Sequence, residues 1–224
     1  MAASLAAAEL DVPLGTPSRP LWRGRLHQYS LVVAVPLLLT LIALAHDTKA
    51  RVAVIVYAIG LCAMFTASAT YHRYVHTLSA RAAWQRADHA MIYAAIAGSS
   101  TPIIVLAMPN VWGALLLGTI WAGALVGMII KAVWWRHQRI VGGTLYMVVS
   151  WIGVLVVPFV WHRFGPWPVV MLLSGGVFYT VGAIGFLVKW PRLNPSVFSY
   201  HEVWHVYTVV AAAAQLTAVW LVVT

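Results

Sequence analysis

Two histidines four residues apart, His201 and His205, fall within His201-Glu202-Val203-Trp204-His205 near the C-terminal end of the chain. On a helix this spacing puts both imidazoles on one face, about 40° apart around the axis, so that two nitrogens can reach one metal ion. His72 and His76 form a second pair at the same separation. With Glu202 between its histidines, the first pair also spells His-Glu-x-x-His. In zinc peptidases that pattern supplies two ligands and a base, and a further ligand generally lies downstream. Nineteen residues follow His205, and none is His, Asp, Glu or Cys. The peptidase reading therefore lacks its third ligand, which must come from another part of the chain.

Composition identifies the elements that would deliver it. Hydrophobic residues make up 62% of the 224 and charged residues 8%, against about 25% charged in soluble domains. So much apolar surface requires a lipid environment. The net charge of +9 then reports membrane topology and not a nucleic-acid partner. The single cysteine, Cys62, excludes an intrachain disulfide and a thiolate cluster. No cleavable signal peptide is expected: the first apolar run begins near Ser30, behind Glu9 and Asp11, and reads as a retained anchor.

Seven apolar runs, over roughly 30–46, 52–72, 89–108, 111–131, 144–161, 168–188 and 203–223, approach the 20 or so residues that a helical span needs. The expected fold is an all-α, seven-helix transmembrane bundle over 21–224, behind a disordered tail at 1–20. Met108-Pro109-Asn110 joins the third and fourth runs as a tight helical hairpin. Basic residues set the orientation. Arg19, Arg23, Arg25, Arg73, Arg81, Arg86, Lys131, Arg136, Arg139, Lys189 and Arg192 share one side, eleven in all, and only Lys49, Arg51 and Arg163 take the other. The positive-inside rule places the N-terminus in the cytoplasm and the C-terminus outside. Most tryptophans, Trp22, Trp112, Trp134, Trp135, Trp161, Trp167 and Trp190 among them, lie near span ends as an interfacial belt. Gly123 with Gly127, Gly142-Gly143 and Gly175-Gly176 are read as sites of close helix packing.

This topology gathers polar residues that lipid disfavours. Ser68 and His72 end the second span, Asp88 begins the third, and His201 and His205 begin the seventh, all at the cytoplasmic depth. Three histidines with a fourth position open to water match a catalytic zinc site and not a closed structural one. Zinc lowers the pKa of a coordinated water toward about 7 and so supplies a nucleophile at neutral pH. Asp88 is the candidate general base and proton donor. Ser68 would orient a ligand or polarise a substrate carbonyl. Glu202 has two readings, a contact to the zinc water or to a cytoplasmic arginine. His27, His46, His137 and His162 are expected in loops or interfaces, His76 in the basic second loop, and His89 on a different helix face.

At these residues the chain resembles the hemolysin III family, the bacterial branch of the progestin and adipoQ receptor family. Three motifs carry the likeness: Ser68-Ala-Thr-Tyr-His72, then Asp88-His-Ala-Met-Ile-Tyr-Ala-Ala-Ile-Ala-Gly-Ser-Ser-Thr-Pro102, and Phe198-Ser-Tyr-His-Glu-Val-Trp-His205. With the seven spans, the likeness covers roughly 20–224. The family pattern often has Gly-Thr-Tyr-Thr-Pro and Phe-Gly-Tyr-His where this chain has Gly98-Ser-Ser-Thr-Pro102 and Phe198-Ser199-Tyr-His. Those departures are expected near the site, sparing the ligands and bearing on substrate fit. The resemblance implies zinc on His72, His201 and His205, Asp88 reaching it through water, and Ser68 close by. A more distant similarity to alkaline ceramidases implies hydrolysis of a lipid amide, and the family likeness implies a part in membrane homeostasis. The expected activity is metal-dependent hydrolysis of a membrane lipid amide or ester at the cell membrane, with membrane lipids as partners. The rival expectations are a non-enzymatic lipid sensor with structural zinc and a pore-forming hemolysin. No amphipathic strand series or polar stripe through a whole span supports the pore, and nothing in the chain specifies an oligomeric state.

Overall fold

The computed structural model describes residues 20–133, 139–194 and 196–224, with the backbone alone over 139–143. The tail expected over 1–20 lies outside the described residues except for Pro20, as do Trp134, Trp135, Arg136 and His137. Every regular element described is helical: α1 Arg25–Leu44, α2 Thr48–Arg73, α3 Leu78–Ala107, α4 Asn110–Val133, α5 Arg139–Ile152, α6 Val157–Phe164, α7 Pro166–Leu187 and α8 Tyr200–Val223. A single 3₁₀ turn, Gly153–Val156, joins α5 to α6, and the two act as one span, so seven spans result as expected.

Local chemistry sets the boundaries. Asp47 begins α2 by accepting the Ala50 N–H at 2.6 Å, and Thr77 begins α3 by accepting that of Ala80 at 3.3 Å. The Thr77 cap starts α3 eleven residues ahead of the expected 89. Arg81, Arg86 and Asp88 are therefore helical, and the polar lead-in carried no apolar signal to announce it. The α3–α4 hairpin turns at Met108-Pro109 as the sequence predicts. The 3₁₀ turn stands directly before Pro158, which has no N–H to continue an α-helix.

α3 is central. It packs along α2 and α4 and also meets α5, α6 and α8, while α8 lies against α7 and closes onto α1, α2 and α3. The buried apolar core, including Leu38, Leu41, Val54, Tyr57, Tyr93, Ile103, Ile120 and Val219, runs between these helices. The outward faces carry unburied Val32, Ile59, Leu115 and Leu187, the apolar band a bilayer requires. The contact of α2 with α3 is closest at Gly60, where a Cβ would stand 2.5 Å from the Ala94 carbonyl oxygen. Gly60→Ala should therefore lower stability by about 1–3 kcal/mol through overpacking, read as a lower melting temperature in detergent. An unchanged melting temperature would show that the helices do not meet there. Of the expected close-packing glycines, Gly127 accommodates the Tyr93 ring, whose Cζ would lie 2.2 Å from an added Cβ, and Gly142-Gly143 lies outside the residues whose side chains are described.

Candidate metal centre

His72 occupies the last turn of α2, and His201 and His205 the first two turns of α8. Because α2 and α8 run in opposite senses at this end of the bundle, their histidines meet. One ligand atom from each lies within 4.8 Å of the others. His72 Nε2 and His201 Nε2 are 3.3 Å apart. Two nitrogens each about 2.0–2.1 Å from a tetrahedral zinc are roughly 3.3–3.4 Å apart, so the pair already stands at the spacing of co-ligands. His205 Nε2 is buried with no hydrogen-bond partner. A buried imidazole nitrogen left unpaired is costly, and a metal would satisfy it. The donor set thus fits a zinc ion on His72, His201 and His205.

Asp88 lies in the third turn of α3 with its side chain 13% exposed, its Oδ2 3.8 Å from His72 Nε2 and also 3.8 Å from His89 Nδ1. Both distances exceed hydrogen-bond reach. Ser68 is buried one turn before His72, with its hydroxyl beside the Asp88 carboxyl. The five expected site residues are therefore together, on three helices in mutual contact.

Other positions differ from expectation. His27, expected in a loop or at the interface, sits buried in the first turn of α1, 3% exposed, with its ring edge-on to His205 at 4.1 Å between centroids. The apolar run begins near Ser30, and one more helical turn, from Arg25, places His27 at the depth of the other histidines. Glu202 is fully buried, and its partners are Ser199 and Arg23. Its Oε2 accepts the Ser199 N–H at 2.8 Å, completing a capping box on α8, and Oε1 pairs with Arg23. Of its two readings, the arginine contact is the one formed. Gly24, at φ +75°, lets the chain enter α1 directly beside His72, whose Cβ would lie 2.7 Å from any Cβ placed there. The segment before it is pinned by Leu21 N–H to Ser196 O at 3.0 Å and Trp22 N–H to Val197 O at 3.2 Å. The departures at Ser99 and Ser100 are not near the site. They stand eleven and twelve residues beyond Asp88, roughly 16–18 Å along the helix, where both hydroxyls donate to the Ile96 carbonyl, at 3.0 and 2.9 Å. Ser199 is near the site, as the N-cap of α8.

A multi-pass, all-helical membrane protein with a three-histidine candidate metal centre is the class these features define. The chain belongs to the haemolysin III family: the family model described as Haemolysin-III related matches residues 16–216. It is 28% identical over 190 residues to Hemolysin-3 of Bacillus cereus, covering 84% of each chain. It is 23% identical over 196 residues to the Hemolysin-3 homolog of Bacillus subtilis (strain 168), covering 86% of this chain and 89% of that one. Human monocyte to macrophage differentiation factor is 25% identical over 198 residues, 87% of this chain and 80% of its own. The resemblance read from the three motifs is thereby borne out.

Proposed function

We propose that the chain is a zinc-dependent hydrolase of a membrane lipid amide or ester, with its site on the cytoplasmic side of the cell membrane. The observation that carries this reading is the meeting of three histidine nitrogens, one of them a buried orphan, beside the Asp88 carboxyl. Bound zinc would supply Lewis acidity, activating a water and polarising the scissile carbonyl. His72, His201 and His205 would hold the ion. Asp88 takes the proton from the attacking water and returns it to the leaving amine or alcohol. Ser68 donates its hydroxyl proton to the Asp88 carboxylate or to the substrate carbonyl. The exposed apolar flanks of the helices support substrate access laterally from the bilayer. Orientation rests on the eleven-to-three division of basic residues, since the histidines lie at the end that holds the eleven.

A second reading, a non-enzymatic lipid sensor whose zinc ties α2 to α8, draws on the enclosure of His72 and His205, 6% and 3% exposed. Metal analysis of the purified protein in detergent tests the part both readings share. About one zinc per chain is expected, lost in His72→Ala and in His201→Ala. Metal-free protein that stays folded and monodisperse would end both readings. Incubation with a panel of acyl amides and esters in mixed micelles then separates hydrolase from sensor by fatty-acid release.

A further inference from the structure

We infer that the end of the bundle opposite the metal centre holds one anionic phospholipid, its phosphate in a basic cavity and an acyl chain in an adjoining apolar groove. The site shares no residue with the histidine cluster and stands independently of the metal reading.

Of the fourteen basic residues only Lys49, Arg51 and Arg163 belong to this end. Lys49 and Arg163 line the same cavity, of about 720 Å³, with His46 and His162. Three connections meet there: His46-Asp47 between α1 and α2, Met108-Pro109-Asn110 between α3 and α4, and His162-Arg163 at the end of α6. The one carboxylate of the cavity, Asp47, is engaged as the cap of α2. Its Oδ1 accepts the Ala50 N–H at 2.6 Å, and its Oδ2 lies 3.5 Å from His46 Nε2. Among the described residues neither Lys49 nor Arg163 has a carboxylate partner. Arg163, in the last turn of α6, complements the dipole of that helix, whereas Lys49, in the first turn of α2, opposes its own. Local structure thus accounts for one cation and not for the pair. Two cations against one carboxylate leave one positive charge in excess, which the single negative charge of a phosphodiester would offset. Its oxygens would accept charge-assisted hydrogen bonds from the ammonium and the guanidinium.

The adjoining groove makes the ligand a lipid. Lys49 and Val105 also line a second cavity, of about 610 Å³, whose other walls are Thr48, Val52, Ala53, Val56 and Thr101. The Thr101 hydroxyl is turned onto the Ala97 carbonyl at 2.8 Å, so the far end of this groove is apolar. Val52, 55% exposed, opens it to the bilayer. From Thr48 to Val56 the groove runs roughly 12 Å along α2, most of the ~15 Å depth of one leaflet. A lysine at the junction suits both parts, since its methylene stem lies along apolar surface while its ammonium reaches the headgroup.

The test is native mass spectrometry of the full chain in detergent, titrated with dioleoyl phosphatidylglycerol, dioleoyl phosphatidylcholine or glycerol 3-phosphate. One phosphatidylglycerol should bind per chain, roughly 10-fold or more tighter than phosphatidylcholine. Lys49→Gln and Arg163→Gln should each weaken it about fivefold, and the double variant about 25-fold. Val52→Trp, which fills the mouth of the groove, should weaken it too. Arg192→Gln, an equally exposed cation at the opposite end, should change nothing. Equal retention of the two lipids, undiminished binding in the double variant, or an equal loss in Arg192→Gln would each overturn the inference. Glycerol 3-phosphate that competes as strongly as the intact lipid would overturn the lipid assignment and leave a site for a free phosphate ester. If Arg163→Gln does not fold, Lys49→Gln decides alone, and wild-type affinity in that variant would overturn the inference.

Discussion

Asp88→Asn is expected to keep its zinc and its fold while losing about 10²–10⁴-fold in turnover, the usual worth of a positioned acid–base group. The amide matches the carboxyl in shape, so the packing of α3 against α2 persists. What it lacks is the capacity to take a proton. The carboxyl oxygen is 3.8 Å from His72 Nε2, too far to hold that ring by a direct bond, so removing its charge should leave the ligands where they are. Metal content and chelator competition would therefore match wild type while fatty-acid release collapses. The opposite pattern is equally informative. If zinc and thermal stability fall together, Asp88 helps to hold the ion, and the sensor reading gains at the expense of the hydrolase.

The second large effect concerns stability and is asymmetric. Arg23 and Glu202 form an ion pair in which the carboxylate is 0% exposed and the guanidinium side chain 25%. Arg23→Ala strands a fully buried carboxylate, relieved only by the Ser199 N–H, and should cost about 3–5 kcal/mol. Glu202→Gln leaves an arginine that water can still reach and an amide oxygen that can still cap α8, so it should cost nearer 1.5–3 kcal/mol. The double variant should recover part of the Arg23→Ala loss. Thermal unfolding of the four proteins in one detergent measures the order, and a larger loss for Glu202→Gln than for Arg23→Ala would refute this account of the pair.

Much of this was legible because lipid makes polarity expensive. Seven apolar runs fixed the spans, and the basic residues placed Ser68, His72, Asp88, His201 and His205 at one depth before any contact was known. The features that escaped are non-local or have no apolar signature. Arg23 and Glu202 are 179 residues apart, and nothing in either neighbourhood announces the other. His27 was lost because span boundaries were drawn where hydropathy rises, whereas the helix begins a turn earlier, at Arg25. The early start of α3 hid behind charged residues for the same reason. Gly60 carries no polar label at all, and its role exists only against the Ala94 carbonyl. At Ser99 and Ser100 the sequence misleads in the other direction, since motif membership suggests a closeness to the site that helix rise does not permit.

The position of the ligands along the chain also bears on how the protein is made. His27 and His72 belong to the first two helices, whereas His201 and His205 open the eighth. During synthesis Arg23 and His27 enter or border the membrane long before Glu202, His205 and Thr208 exist, so the first helices must wait without these partners. The three-histidine cluster is complete only once α8 is inserted, so on the zinc reading metal loading would be a closing step of biogenesis, one that secures the seventh span to the second.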